Sequence, residues 1–201
     1  MMLSLICLSA LQTPTSTAAD FFPSSPGIVR TYERKGKGDL LTNKIGDSLD
    51  MGGASVVPIT ENTGANGTTT YYRVQPDQVT IVAYDIKHPM VKPMPVLMLG
   101  KGEVTWNYEG STASGVSGEQ LRAFGKAKAG GQMLVKSLGK KVDVVIVNLS
   151  VVVGSGMSAV MDDQYTVYGR GIGMIEQRTT QRLGKSKIEA TYLLTGFEPA
   201  K

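Results

Sequence analysis

The chain has almost none of the residues that form metal centres and nucleophilic triads. Its 201 residues include a single cysteine, Cys7, and a single histidine, His88. A zinc site or a Ser–His–Asp triad needs partners that one histidine does not have. His88 precedes a proline in the stretch "DIKHPMVKPMP", where an exposed loop histidine is the simplest interpretation. We therefore predict no metal, no cofactor and a non-enzymatic role.

Strong positive charge is also lacking. The net charge is +4 and charged residues make up 19% of the chain, well below the clustered basicity of a nucleic-acid-binding protein. No nucleic-acid partner is predicted. Two basic stretches, residues 30–38 and 136–141, are candidates for binding anionic envelope polymers or lipid headgroups, but solvated turns are the simpler interpretation.

The N-terminal region lacks an apolar run long enough to span a bilayer. Residues 3–11 are largely apolar, whereas a transmembrane helix needs about 20 residues. Small and polar residues follow this run. Thr17 and Ala19 occupy the −3 and −1 positions of a cleavage point before Asp20. Residues 1–19 are therefore predicted to be an export signal.

The predicted signal contains the only cysteine of the chain. Lipidation of Cys7 is disfavoured because Ile6, which is not a small residue, directly precedes it. Removal of the signal would leave no thiol, which excludes disulfides. Residues 20–201 are predicted to form a single β domain, periplasmic or extracellular and at most peripheral to a membrane.

What the remaining sequence does have is period-two alternation, the pattern of half-buried strands. "EVTWNYE" places Val104, Trp106 and Tyr108 on one face. "KVDVVIVNLSVVVG" has an uninterrupted apolar face. That face comprises Val145, Val147, Leu149, Val151 and Val153. We predict a mainly β fold: a single curved antiparallel sheet, half-barrel or open barrel, with few helices beyond the signal segment.

Turn residues divide this pattern into strands. Residues 69–85 are predicted to be a hairpin that turns at Pro76, because proline presets φ for the second turn position. Residues 183–185 indicate another hairpin turn, and residues 61–69 a loop. Residues 117–130 carry some helical signals, but a strand or irregular crossing is favoured there.

Catalytic arrangements remain as alternatives with little support. Glu103 and Glu109 share a strand face but lie about 20 Å apart, too far for a glycosidase pair, which needs about 5–10 Å. Asp162 and Asp163 are adjacent and are predicted to cap a turn. A serine–lysine hydrolase is the enzyme class that the sequence excludes least, and Ser137, which follows a lysine, is one candidate nucleophile. Nothing places such a serine on a strained elbow with a base in reach.

Three glycines in "YGRGIGMIEQ" raise the question of a phosphate-binding loop. A dinucleotide loop requires G-x-G-x-x-G between a strand and a helix. Gly169, Gly171 and Gly173 do not satisfy it, because Met174 occupies the third glycine position. Fewer than 30 residues follow Gly173, too few to complete a nucleotide-binding unit.

The same stretch favours a β-bulge. Apolar residues occupy odd positions up to Val167 and even positions at Ile172 and Met174. Such a switch of parity indicates one inserted residue, for which glycine is the usual device. Residues 164–177 are therefore predicted to form one bent strand that coils around a core.

Three short motifs carry a family resemblance. The first is "FFPSSPGIVRTYE", with Phe22, Pro23, Gly27 and Tyr32. The second is "TWNY", with Trp106 and Tyr108. The third is "VYGRGIGMIEQ", with Tyr168, Gly171, Ile172, Gly173, Met174 and Ile175. In these motifs, over about residues 21–197, the chain resembles a widespread group of exported bacterial β-sheet proteins of unknown function.

The resemblance implies a fold and no chemistry. That group typically has F-P-L-x-x-G-x-x-W-x-Y near its start and G-V-G-L-V near its end. Here Arg30 stands in place of the tryptophan and Ser24 in place of the leucine. The implied fold is a curved antiparallel sheet or half-barrel, similar in architecture to periplasmic lipoprotein carriers.

Three functional hypotheses follow. The favoured one is a non-enzymatic exported protein that binds an apolar or envelope ligand, such as a lipid, or a partner protein in its curved sheet. The second is a hydrolase that uses serine and lysine or carboxylates. The third is a structural or assembly component of the cell envelope.

Overall fold

The computed structural model describes residues 16–64, 66–113 and 118–200. A single helical turn, α1 (Ala18–Phe21), precedes the strands, and 3₁₀ turns cover Lys136–Leu138 and Gly156–Ser158. The strands are β1 (Val29–Arg34), β2 (Leu40–Ile45), β3 (Leu49–Met51), β4 (Ala54–Thr63), β5 (Asn66–Val74), β6 (Gln78–Ala83), β7 (Met94–Met98), β8 (Val104–Ser111), β9 (Gln120–Val135), β10 (Lys140–Val153), β11 (Val160–Gly169), β12 (Gly173–Leu183) and β13 (Ser186–Glu198). The prediction of a mainly β fold is confirmed.

The strands form one antiparallel sheet that curls into a nearly closed barrel. Their order is β7-β6-β5-β4-β2-β1-β13-β12-β11-β10-β9-β8, and β3 pairs with β4 beside this path. The two end strands, β7 and β8, contact each other without a backbone ladder. Side chains bridge the gap instead: Trp106 Nε1 donates to Pro95 O at 3.1 Å, and Tyr108 OH donates to Lys92 O at 2.7 Å.

The predicted core face of β10 is confirmed. Val145, Val147, Leu149 and Val151 are each at most 7% exposed, and Val153 is partly buried. They pack with the inward residues of β6 to β9 as one apolar cluster. Five neighbouring strands therefore fill their side of the barrel with packed side chains, as alternation with one buried face requires.

Most of the predicted turns are confirmed. Gln75 N donates to Gln78 O at 2.8 Å in the turn between β5 and β6, and Gly184 lies in the β12–β13 turn. The favoured strand within residues 117–130 is also confirmed, as the start of β9. The loop predicted over residues 61–69 is wrong, because β4 and β5 pair up to Thr63 and Asn66.

The bent strand predicted over residues 164–177 is wrong, because the glycines form a hairpin turn. β11 ends at Gly169 and β12 begins at Gly173. Gly171 has a φ of +72°, a left-handed conformation suited to glycine. A register shift beyond the turn leaves Ile175 without a partner on β11. The apolar residues therefore change from odd to even positions across a hairpin turn that is followed by a bulge.

The segment around α1 closes one end of the barrel. Ala18 N donates to Pro76 O at 2.6 Å, and Gly171 N donates to Asp20 O at 2.7 Å. Phe21 and Phe22 are at most 9% exposed and join the apolar cluster. The predicted signal, with Cys7, falls mainly outside the described residues, and its predicted end at Ala19 lies within α1. No helix in the described ranges is long and apolar enough to cross a membrane.

Candidate ligand-binding cavity

An elongated cavity of about 490 Å³ lies inside the barrel. Side chains from nine strands line it: β1, β2, β4 to β7 and β10 to β12, with Tyr192 of β13 at the side. This volume falls in the range of small-molecule sites, roughly 300–1,000 Å³.

One wall of the cavity is apolar. It is formed mainly by inward side chains of β6, β7 and β10. The lining residues of this wall are Ile81, Met94, Val96, Val147, Leu149, Val151 and Val153. These residues belong to the packed cluster or lie against it, so this wall is continuous with the apolar core.

The other wall is polar, and its chief component is a ladder of side chains on β11 and β12. Three antiparallel pairs face the cavity: Asp162 with Gln181, Gln164 with Thr179, and Thr166 with Gln177. Gln164 Nε2 donates to Asp162 Oδ2 at 2.7 Å, and Gln177 Nε2 donates to Thr166 Oγ1 at 3.4 Å. This wall offers amides, hydroxyls and a carboxylate to a ligand.

The cavity has a mouth and a closed end. Along the ladder, exposure falls from Gln181, which is exposed, to Thr166, which is 3% exposed. Tyr84, in the loop after β6, lies at the mouth and is 43% exposed. From Asp162 near the mouth to Tyr168 at the closed end is six residues of strand, or about 20 Å. The cavity is thus long and narrow.

Aromatic rings form the closed end. The ring centroid of Phe22 lies 5.2 Å from that of Tyr72 and 6.2 Å from that of Tyr168. Burial raises the pKa of Tyr168 to about 12 and also raises the pKa of Tyr72. Both hydroxyls therefore stay protonated at physiological pH and can donate hydrogen bonds.

Among the residues that the structure describes, Arg30 is the one cationic side chain that lines the cavity, and it lies at this closed end. It is 4% exposed. Its Nε donates to Ile172 O at 2.5 Å and its Nη2 to Pro23 O at 2.8 Å. Burial lowers the pKa of the guanidinium, while Tyr32 and Tyr168 raise it. An arginine nonetheless stays charged in proteins.

The charge of Arg30 has no carboxylate partner in the described part of the chain. The ion pairs found there involve other cations, Lys126, Arg170, Arg178, Arg182 and Lys187. Glu61 also lines the cavity, and burial raises the pKa of its carboxyl. It lies two strands away from Arg30, or roughly 10 Å. A buried charge without a partner is uncommon.

Gly173 provides the space for the guanidinium. A Cβ atom at this position would lie 2.9 Å from three atoms of the Arg30 side chain, and φ is +94°. The guanidinium therefore packs directly against the glycine backbone. The last glycine of "YGRGIG" is explained by this close approach, which a strand pattern alone does not indicate.

The motif residues singled out in the sequence separate into two groups. The closed end brings together Phe22, Pro23, Tyr168 and Gly173, with Tyr32 beside them through a 3.1 Å hydrogen bond from its hydroxyl to Met174 O. The remaining motif residues lie elsewhere. They are Trp106 and Tyr108 at the β7–β8 gap, Gly27 in the turn before β1, and Gly169 and Gly171 in the β11–β12 turn.

The candidate catalytic residues are dispersed. His88 is exposed in the β6–β7 loop, as predicted, and Ser137 with Lys136 is exposed at the tip of the β9–β10 hairpin. Glu103 pairs with Lys126 at 3.0 Å on the outer surface. Within the described ranges, no group of three or more histidine, cysteine, aspartate or glutamate side chains is placed to hold a metal ion.

The turn cap predicted for Asp162 and Asp163 is wrong, because both residues lie within β11 and point to opposite faces. Asp163 faces outward, accepts a 2.7 Å hydrogen bond from Ser150 Oγ and pairs with Arg182. Asp162 faces the cavity, where its Oδ1 is buried and has no hydrogen-bond partner among the described residues.

Sequence reasoning missed the polar ladder and Asn43, whose Oδ1 is likewise buried and has no hydrogen-bond partner within the described ranges. Polar residues at every second position are also the pattern of a strand face exposed to solvent, and on β12 the residues between them, Arg178, Thr180 and Arg182, are polar as well. No signal in the sequence distinguishes those two environments.

Comparison with known proteins finds weak structural similarity and no sequence match. No known protein-family profile matches the chain, and no curated protein matches it in sequence. A solved structure of a candidate lipoprotein from Parabacteroides distasonis is similar with a TM-score of 0.45 and 10% identity, covering 91% of this chain and 99% of that chain. A candidate exported protein with a YmcC-like fold from Bacteroides fragilis is similar with a TM-score of 0.43 and 11% identity, covering 88% and 98%.

Proposed function

We propose that this protein is a non-enzymatic, exported binding protein that holds an elongated envelope ligand with an apolar portion inside its barrel. The observation that carries the proposal is the cavity of about 490 Å³ with one apolar and one polar wall. A ligand with a hydrocarbon part and a polar part matches both walls at once.

The unsatisfied polar atoms of the cavity support an occupant. Asn43 Oδ1 and Asp162 Oδ1 are buried and lack hydrogen-bond partners in the described part of the chain. Buried polar atoms in native proteins nearly always have a partner, which is protein, water or ligand. The polar wall is therefore suited to partners that enter from outside the chain.

Binding is tested with a neutral apolar dye and a variant that fills the cavity. Leu149 lines the apolar wall and is 6% exposed, so Leu149→Trp extends an indole into the open space. Leu183→Trp is the matched control, because Leu183 is 53% exposed on the sheet surface. We expect Nile red to bind the wild type and Leu183→Trp with one-to-one stoichiometry and to bind Leu149→Trp at least about tenfold more weakly.

Two outcomes would contradict the proposal. One is the absence of saturable Nile red binding to the folded wild type. The other is equal binding to the wild type and to a folded Leu149→Trp variant, which would place the dye on the outer surface.

The exported location is a separate part of the proposal and rests on residues 1–19 of the sequence. Expression of the full chain in a bacterial host, followed by fractionation and N-terminal sequencing, tests it. We expect a processed chain outside the cytoplasm. An unprocessed chain that stays with the cytoplasmic fraction would contradict it.

A further inference from the structure

Arg30 gives the closed end of the cavity a chemistry that an apolar ligand would not use. The guanidinium has five N–H donors, and the hydrogen bonds from Nε and Nη2 occupy two of them. Nη1 donates no hydrogen bond within the described residues. The residue lines the cavity and is 4% exposed, so its guanidinium borders a site that is largely shielded from bulk water and has donors left for a ligand.

We propose that the closed end binds the anionic headgroup of a single-chain amphiphile, with Arg30 as the principal contact and the chain extending toward the mouth along the apolar wall. This inference rests on the proposed function, because it names the class of ligand that the same cavity holds. The shared chemistry is a terminal carboxylate or phosphate on one long hydrocarbon chain.

The surroundings of Arg30 suit an anion. The Tyr168 side chain lines the same end, and Arg30 and Tyr168 are close enough to affect each other's pKa. Burial keeps the Tyr168 hydroxyl protonated, so it can donate a hydrogen bond to an anion beside the guanidinium. Hydrogen bonds to charged groups are stronger than those between neutral groups.

The distribution of charge along the cavity sets the orientation. The cation is at the closed end, whereas Asp162, a carboxylate, lies near the mouth. An anionic headgroup is attracted to the first and repelled by the second. Glu61 lies to the side of Arg30 without forming an ion pair, and burial favours its neutral form by raising its pKa.

The dimensions select one chain rather than two. The lined part of β11 is about 20 Å long, and the cavity volume is about 490 Å³. Val147, Leu149 and Val151 succeed one another along this length on the apolar wall. A single extended alkyl chain lies along them while its headgroup reaches Arg30.

The test is a competition for bound Nile red among four compounds with the same twelve-carbon chain: dodecanoate, monododecyl phosphate, dodecanol and dodecyltrimethylammonium. With the wild type, we expect the better of the two anions to displace the dye at a concentration at least about tenfold lower than dodecanol. The cation should be the weakest competitor. The relative strength of the carboxylate and the phosphate identifies the headgroup.

Two variants assign the preference to the closed end. Arg30→Met replaces the charged guanidinium with an apolar side chain of similar length. It should abolish the preference for anions over dodecanol while Nile red still binds. Tyr168→Phe removes only a hydroxyl and should reduce that preference about threefold. Tyr165→Phe is its control, because Tyr165 stacks with Arg178 on the outer face. If Arg30→Met does not fold, the comparison of Tyr168→Phe with Tyr165→Phe still tests the inference.

The outcomes separate this inference from the function on which it rests. If Nile red binds but dodecanol competes as well as both anions, the inference is wrong and the binding function stands. A preference for anions that survives in folded Arg30→Met would also overturn it. If Nile red does not bind at all, the proposed function fails first.

Discussion

The two sides of the barrel interior show how the same strand alternation produces different structures. On the side of β6 to β10, inward side chains are apolar and pack into one cluster. On the side of β1, β2, β4, β11 and β12, which we call the polar side, inward side chains include amides, hydroxyls and an arginine, and they form the polar wall of the cavity. β10 and β11 are adjacent strands, yet the side chains that line the cavity are apolar on β10 and largely polar on β11.

This difference indicates that the packed side contributes most of the stability of the fold, although part of it also lines the cavity, and that the polar side contributes mainly to binding. Packed apolar residues lose contacts and leave a cavity when they are truncated. Side chains that already border open space have fewer contacts to lose. Truncations on the packed side should therefore lower stability strongly, even where the residue also lines the cavity, whereas truncations on the polar side should lower stability weakly and affect mainly binding.

The largest effect is expected at the β7–β8 gap. Trp106→Ala removes a 7% exposed indole and its hydrogen bond to Pro95 O, and should lower the free energy of unfolding by about 3–5 kcal/mol. Thr179→Ala, on the polar wall, should change it by less than about 1 kcal/mol. Urea denaturation measures both. Equal effects would remove the distinction between the two sides.

A smaller effect is expected where the polar side requires close packing. Gly173→Ala forces a Cβ against the Arg30 guanidinium and strains a residue with a φ of +94°, and should destabilise the fold by about 2–3 kcal/mol. Gly171→Ala is the matched control, because its φ is +72° but the space around it is open. It should lower stability by only about 1 kcal/mol. If both variants lose the same amount, Arg30 does not pack against Gly173 as described.

At high pH, the tyrosines of the closed end should weaken the fold. The pKa of Tyr168 is raised from 10.0 to about 12 by burial, so the folded state favours the neutral hydroxyl. This stabilisation is complete below the unfolded pKa near 10 and is lost as the pH rises from 10 toward 12. Urea titrations between pH 8 and about pH 11.5 should show stability falling more steeply for the wild type than for Tyr168→Phe. Parallel curves would mean that the ring is solvated.

The smallest effect is expected outside the barrel, at Asp163. Its pKa is lowered by the hydrogen bond from Ser150 and by Arg182, so its contribution is complete above the unfolded pKa of about 3.9 and is lost as the pH falls through the folded value. The pair with Arg182 is partly exposed, which limits the contribution to less than about 1 kcal/mol. Asp163→Asn and Ser150→Ala should each flatten the acid limb of the stability profile. An unchanged limb would show that the pair is screened by solvent.

The sequence predicts the buried residues of the packed side well and those of the polar side poorly, for a physical reason. Trp106 and the alternate residues Val145, Val147, Leu149 and Val151 are buried as expected, because large apolar residues with period two have only one stable environment. Gln164 and Thr179 are compatible with solvent or with a wet cavity, so their pattern does not distinguish outside from inside.

The closed end shows the same limit. Arg30 is visible in the sequence only as a departure from a tryptophan position in a resembling family, and its basic neighbours suggest a solvated turn. Its burial follows from contacts with Pro23 and Ile172, which are seven and 142 residues away along the chain. Long-range contacts of this kind leave no periodic signal, whereas the β-class and the hairpins depend on local patterns.

Native mass spectrometry of the chain purified under gentle conditions from its own host tests the central claim most directly. The account predicts a one-to-one complex with a single-chain amphiphile, released on denaturation and absent from the Leu149→Trp variant prepared in the same way. A wild-type spectrum showing only the bare chain, together with a cavity that excludes Nile red, would contradict the claim that this barrel holds a ligand.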